Sequence, residues 1–114
     1  MMIEKYKINI LGSEWKIYFS NSAENRFLRG ADGYMDRSTR SIVIGEIKPD
    51  CEVADFSVIQ KNSMRHEIIH AFFEESGLSI NVENKNLGVS ETYVDWFAIQ
   101  SPKIYKIFRQ LNLL

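Results

Sequence analysis

Apolar and polar residues alternate in two runs near the start of the chain. In residues 6–10 every second position is Tyr or Ile, and in residues 15–19 every second position is Trp, Ile or Phe. This period of two predicts β-strands. Because Gly12-Ser13 separates the runs, we expect a β-hairpin. Residues 33–36 and 41–44 flank a short polar stretch and predict a second hairpin.

The second half of the chain carries the signals of helices. A long helix is predicted from about Asp55 to Ser76, and Gly77 suits the position after its end, where a positive φ is common. Residues 78–89 predict a polar loop, with the helix breakers Asn81, Asn84, Asn86 and Gly88. Ser90 is a natural N-cap for a helix that begins at Glu91.

A further helix is predicted at the C-terminal end of the sequence. Ser101-Pro102 repeats the helix-start signal, with a capping serine followed by proline in the first turn. One apolar stripe follows at i, i+3, i+4 and i+7, and this stripe predicts a helix docked on the core: Ile104, Ile107, Phe108 and Leu111.

Strands that precede helices favour an α+β fold with an antiparallel sheet, and 114 residues are enough for one domain, residues 1–114. We expect the small sheet to pack on helix 55–76, with the Glu91 helix crossing behind it. Residues 42–44 are interpreted as an edge strand that lines a cleft and pairs with a substrate backbone. The alternative is that this strand is central and that residues 6–10 form the edge.

Composition excludes several classes of protein. The chain is 45% apolar and 25% charged, as globular domains are, and 14 basic against 15 acidic residues give a net charge of −1. A near-neutral chain predicts no nucleic-acid partner. The absence of a long apolar run predicts no membrane partner. The single cysteine, Cys51, cannot form an internal disulfide. We therefore expect a soluble cytoplasmic protein.

Both histidines of the chain lie in His66-Glu67-Ile68-Ile69-His70, an H-E-x-x-H motif within the predicted long helix. Residues i and i+4 share one face of a helix, so two imidazoles can reach one metal ion. A helical wheel puts both histidines at the edge of an apolar arc and Glu67 on the polar side. Glu67 is rotated about 100° from His66, so it can act on a water molecule without binding the metal.

A catalytic zinc site needs a third protein ligand. No third histidine exists, so this ligand must be a carboxylate or Cys51. Glu91 and Asp95 are one turn apart at the start of the next predicted helix. Such a pair can supply one metal ligand and one hydrogen-bond partner for a ligating histidine.

The order His66-Glu67-x-x-His70, twenty residues, then Glu91-x-x-x-Asp95 resembles the gluzincin clan of zinc peptidases. Glu91 to Ala98 fits the pattern E-x-x-x-(D/N)-x-F-A and is followed by Pro102. This pattern and the chain's size resemble the small ImmA/IrrE-type metallopeptidases of phages and prophages. Residues 33–36, 65–72 and 94–100 read like short members of that family. The resemblance covers roughly residues 33–110 and implies a zincin-like fold.

The resemblance also implies a role for each site residue. His66, His70 and Glu91 would bind Zn²⁺, Glu67 would be the general base, and Asp95 would contact a ligand histidine. The clan stabilises the oxyanion with a further histidine or a tyrosine; no histidine remains, and Tyr34 is the candidate, since Tyr93 is expected to face elsewhere.

The implied function is hydrolysis of peptide bonds in a peptide or protein substrate by zinc-activated water. The alternative is a phage accessory or interaction protein that retains a zinc site and is non-catalytic or active only with a partner. The missing oxyanion histidine favours this alternative, and the intact Glu67 argues against it.

Overall fold

The computed structural model describes residues 2–81 and 90–114. Two hairpins come first and helices follow, as the hydrophobic pattern predicts. The elements are β1 (Ile3–Ile10), β2 (Ser13–Ser20), a 3₁₀ turn (Arg26–Leu28), β3 (Gly33–Asp36), β4 (Ser41–Gly45), α1 (Phe56–Glu75), α2 (Leu78–Asn81) and α3 (Glu91–Gln110). The predicted loop 78–89 begins as α2, and the breakers Asn84, Asn86 and Gly88 lie outside the described residues.

The coarse class, α+β, is confirmed, but the sheet is mixed and not antiparallel. Its four strands lie in the order β1-β2-β4-β3. The two hairpins are antiparallel, as expected, but they join each other through a parallel pairing of β2 with β4, with Ile17 opposite Ile42. The hairpin turns are local and readable in sequence, whereas the β2–β4 pairing brings together strands that are not consecutive along the chain.

This order makes the edge assignment of residues 42–44 wrong. Strand β4 is central, between β2 and β3, and its three apolar residues Ile42, Val43 and Ile44 are fully buried. A strand covered on both faces reads as a continuous apolar run, which explains the sequence. The sheet edges are β1, as the alternative interpretation held, and β3.

The main core lies between the sheet and α1. Trp15 and Ile17 of β2 project onto the same side as Ile42 and Ile44 of β4, where they meet Ala71 of α1. The alternation predicted for residues 15–19 is therefore realised with its apolar side against the helix.

One carboxylate ties the C-terminal end of α1 to both hairpins. Glu75 accepts hydrogen bonds from Trp15 Nε1 at 2.8 Å, from Ser13 Oγ at 3.2 Å and from Arg40 Nε. Arg40 contributes a positive charge, and the pKa of Glu75 is lowered, first by the Arg40 hydrogen bond and then by that of Trp15. These bonds orient α1 across the sheet.

The two predicted C-terminal helices form one helix, α3, with Pro102 in its interior. Proline has no N–H, so the Ala98 carbonyl loses its helical partner. The side chain of Arg65 on α1 donates its Nε–H to this same carbonyl. The helix continues through Pro102 because a residue of another element satisfies the carbonyl that proline leaves free.

The first turns of helix α3 lie against α1. Glu91 contacts His70, Asp95 contacts Asn62, and the Ala98 carbonyl contacts Arg65, so the N-terminal half of α3 faces α1.

The predicted docking of the last apolar stripe is wrong. Ile107, Phe108 and Leu111 are exposed, because the two buried residues of α3 are Val94 and Ala98 on another face. None of the described helices has the length and apolar character needed to cross a membrane.

Candidate metal centre

Helix α1 begins and ends as its sequence predicts. The Asp55 side chain accepts the Ser57 N–H at 3.0 Å and caps the first turn. Ser76 is the C-cap, and Gly77 follows with a φ of 79°. The helix between them carries the whole H-E-x-x-H motif, and the rings of His66 and His70 lie 4.9 Å apart on one face.

The carboxylate of Glu91 lies between the two imidazoles. Its Oε2 is 2.7 Å from His66 Nε2, and its Oε1 is 2.9 Å from His70 Nε2. One potential ligand atom from each of these three residues falls within a span of 4.8 Å. Two imidazole nitrogens and one carboxylate oxygen are a donor set suited to Zn²⁺ with an open fourth position.

Asp95 lies one turn beyond Glu91, on the other nitrogen of His66. Its Oδ1 is 3.5 Å from His66 Nδ1 and accepts a hydrogen bond from Asn62 Nδ2 at 3.3 Å. A carboxylate on Nδ1 favours the tautomer that leaves Nε2 free for a metal.

Burial favours the neutral form of His70. The half-buried imidazole has a lowered pKa, chiefly because burial disfavours its charged form, although the Glu91 carboxylate opposes this effect. A neutral imidazole is the form that binds a metal. The donor set of His66, His70 and Glu91 therefore fits a zinc ion in composition, and the favoured neutral form of His70 suits a metal ligand.

Glu67 lies beside this group and not on the solvent side of α1, where the helical wheel placed it. It is 8% exposed, and with Ser63 and Ala71 it forms the buried line of the helix. The helical wheel placed Glu67 on the solvent side because it assumed that the large apolar residues face the core. The buried residues of α1 are instead small or polar, whereas Phe72 is exposed. Glu67 Oε1 is 4.0 Å from His66 Nε2.

The environment of Glu67 alters its proton affinity. Burial raises the pKa of Glu67 to about 7; neighbouring His66 lowers it and Glu91 raises it further. A carboxyl group that titrates near neutral pH is suited to proton transfer.

Gly33 of β3 lies against Glu67, at a point where the sheet leaves little room for a side chain. A Cβ atom at this position would lie 3.5 Å from Glu67 Cγ, 3.1 Å from Ile44 Cδ1 and 3.0 Å from the Val43 carbonyl oxygen. The last two distances are tighter than ordinary contacts, so a side chain at position 33 would force a shift. The sequence signal for this role is a glycine in a strand, which often marks close approach.

The metal-binding group opens into a cleft of about 510 Å³ between α1, α3 and β3. Residues Asp32 to Met35 form one wall, and the histidines, Glu67, Glu91 and Asp95 form the other. Gly45 N–H donates to Asp32 C=O, which makes positions 32, 34 and 36 the hydrogen-bonded positions of β3 with β4. The N–H groups of Gly33 and Met35 therefore point to the outer edge of the sheet, which has no strand partner among residues 2–81 and 90–114.

The remaining candidates lie apart from the donor set. Tyr34 borders the cleft, but strand alternation puts its side chain on the sheet face opposite Gly33, and its hydroxyl accepts a hydrogen bond from Asn25 Nδ2 at 2.8 Å. Tyr93 is exposed on α3. Cys51 is half-buried beside Phe56, in a separate pocket.

Asn62 and Gly33 are the residues of the site that sequence reasoning missed. Asn62 precedes His66 by one helical turn, so the helix period could have placed it on the motif's face. Comparison with protein-family models, with curated proteins and with solved structures finds no match to this chain.

Proposed function

We propose that this protein is a zinc-dependent metallopeptidase of the gluzincin type, similar to the ImmA/IrrE family, that hydrolyses peptide bonds in a peptide or protein. The observation that carries the proposal is the convergence of His66 Nε2, His70 Nε2 and the Glu91 carboxylate beside the buried carboxyl of Glu67. A purely structural metal site has no use for such a neighbouring base.

Each residue has a separate task in this proposal. His66, His70 and Glu91 hold the ion, and Asp95 fixes the tautomer of His66. Zinc, when bound, lowers the pKa of a coordinated water and polarises the scissile carbonyl. Glu67 accepts the proton of the attacking water and delivers it to the leaving amine; its pKa of about 7 in the metal-free site suits both transfers.

Strand β3 is the element best placed to hold an extended substrate. Its outer edge borders the cleft, and the N–H groups of Gly33 and Met35 point there, with no strand partner in the described part of the chain. A peptide that adds to this edge gains main-chain hydrogen bonds, and pockets for alternate side chains give its preference.

The test combines metal analysis with cleavage of a peptide library. Wild-type protein should take up about one zinc per chain and cleave peptides. Glu67→Gln should keep the zinc and lose at least about a hundredfold in kcat/KM, because it removes the base and no ligand. Glu74→Gln, on the same helix but outside the donor set, is the matched control and should retain both properties. Failure of the wild-type protein to bind zinc at neutral pH would refute the proposal.

One observation favours a second candidate, a zinc-retaining phage interaction protein that is non-catalytic or active only with a partner. Within residues 2–81 and 90–114, the candidate oxyanion donor Tyr34 is engaged by Asn25 on the other face of the sheet. In this second case zinc binds, but no library peptide is cleaved until a partner is added.

A further inference from the structure

Helix α3 has a second face, distinct from the one that carries Glu91 and Asp95. At 100° per residue, Val94, Ala98 and the two acidic site residues lie on the side that packs on α1. The opposite side carries a nearly unbroken line of large apolar residues. Those with exposed fractions between 44% and 61% are Tyr93, Trp96, Phe97, Ile107, Phe108 and Leu111.

The spacing along this face is that of a coiled-coil seam. Positions 93, 97, 100, 104, 107 and 111 follow one another at intervals of four and three residues. They are apolar except for Gln100, and Trp96 and Phe108 widen the stripe. A four-three repeat of this kind is the pattern with which one helix packs along another, each side chain entering a hole of the facing helix.

The area of this seam is below the average for a specific dimer interface but within its range. The six exposed side chains present on the order of 650 Å² of surface, and a specific interface takes about 800 Å² from each partner. The seam itself carries no charged residue, because Lys103, Lys106 and Arg109 lie beside the seam or on the other side of α3. The centres of protein interfaces are depleted of charge in the same way.

From these observations we infer that the protein forms a homodimer in which α3 packs against α3 of a second copy. The same apolar surface is present on both copies. A two-fold axis can therefore pack this surface of one copy against the identical surface of the other. The half-buried Gln100 interrupts the apolar seam and sets the register of the two helices at some cost in affinity.

The experiment is sedimentation velocity and light scattering over micromolar protein concentrations. Wild-type protein should give twice the chain mass of 13.3 kDa. Ile107→Glu combined with Leu111→Glu places charge in the seam and should raise the dimer Kd at least about a hundredfold. Because both residues are exposed in the single chain, the circular dichroism of this variant should stay close to that of the wild type.

Two further variants distinguish specific dimerisation through the seam from nonspecific association of exposed apolar residues. Tyr105→Glu changes an equally exposed aromatic residue of the same helix that lies off the seam, and it should leave the dimer intact. Gln100→Leu completes the apolar repeat and should tighten the dimer about tenfold. A monomeric wild-type protein, a seam variant that still dimerises, or equal effects of the Tyr105 and seam variants would overturn the inference. So would a monomer that binds phosphatidylserine vesicles through this face.

Discussion

At the scale of single residues, burial is the main cause of the raised pKa of the Glu67 carboxyl. In metal-free protein its pKa of about 7 lies above the ordinary 4.5, so the folded state keeps a proton that the unfolded chain releases. Between these two values the unfolded state binds fewer protons than the folded one. The contribution of Glu67 to stability therefore falls as the pH rises through this window.

The Glu67→Gln variant tests whether the contribution of Glu67 to stability falls as the pH rises. Glutamine keeps the shape and neutrality of the protonated carboxyl but does not titrate. With zinc removed by a chelator, the variant should match wild type near pH 4 and exceed its unfolding free energy above pH 7 by up to about 3 kcal/mol. Urea unfolding at a series of pH values measures the difference, and Glu74→Gln is the control. Parallel curves for wild type and Glu67→Gln would show that the carboxyl is solvated.

The zinc ligands and their supporting residue should separate by the size of their effects. Glu91→Ala removes a ligand and should abolish measurable binding, whereas Asp95→Ala should weaken zinc affinity by about 10–100-fold. Glu14→Ala, an exposed carboxylate of β2, should change nothing. Competition titration with a chromophoric chelator measures all three. Zinc retained by Glu91→Ala would assign the third ligand elsewhere.

The pH dependence of zinc affinity follows from the histidines. A protonated imidazole cannot bind the ion, so affinity should fall as the pH drops below about 6.5. The lowered pKa of His70 keeps that ring neutral to lower pH than an exposed histidine. The same chelator titration across pH checks this, and a constant affinity down to pH 5 would contradict histidine ligation.

At the scale of elements, Arg65 joins the two helices of the site. Its Nε–H satisfies the Ala98 carbonyl that Pro102 leaves free, and its Nη2 donates to Asn62 Oδ1 at 3.4 Å. Arg65→Met should lower the unfolding free energy by about 2 kcal/mol, because the carbonyl of the buried residue Ala98 loses a charged donor. Arg109→Met, at an exposed position of α3, is the control.

A double-mutant cycle isolates the role of Pro102. Pro102→Ala restores the helical N–H for the Ala98 carbonyl, so Arg65→Met should cost about 1 kcal/mol less in that background. Chemical unfolding of the four proteins gives the coupling energy. Additive effects would show that Arg65 does not compensate for the proline.

Along strand β3, N–H groups that face the outer edge of the sheet alternate with N–H groups that bond to β4. Met35→Pro removes an N–H that faces the cleft and should weaken peptide binding while the fold persists. Tyr34→Pro removes the N–H bonded to β4 and should unfold the domain, as should Val43→Pro in the central strand. Met35→Leu controls for the side chain, which packs against the core. Thermal melts and peptide titrations decide, and an unfolded Met35→Pro variant would refute the edge assignment.

The local part of this architecture could be predicted from sequence, and the non-local part could not. Alternation, Gly12, the Asp55 cap and Gly77 specify strands, turns and helix ends within a few residues, and the helix period brings His66 and His70 together. The parallel β2–β4 pairing depends on contacts between distant segments. The continuity of α3 depends on a donor from α1, and the burial of Glu67 depends on the packing of α1 against β3.

At the scale of the whole molecule, the proposed zinc site is a link between helices. The ligands come from α1 and from the first turn of α3, whereas the apolar contact of α3 with the rest of the domain rests on the small buried residues Val94 and Ala98. An ion held by both helices should therefore supply much of the free energy that keeps α3 in place.

Zinc should accordingly raise the stability of the whole domain. At a free concentration a hundred times its Kd, the gain is about 2.7 kcal/mol, which raises the Tm of a domain of this size by about 10 °C. Glu67→Gln should keep this shift and Glu91→Ala should lose it. Hydrogen exchange shows which part of the fold zinc stabilises. Amides of α3 should gain protection on zinc binding, whereas those of the central strand β4 should change least. A Tm that does not respond to zinc, or protection confined to the sheet, would mean that the ion does not join the two helices.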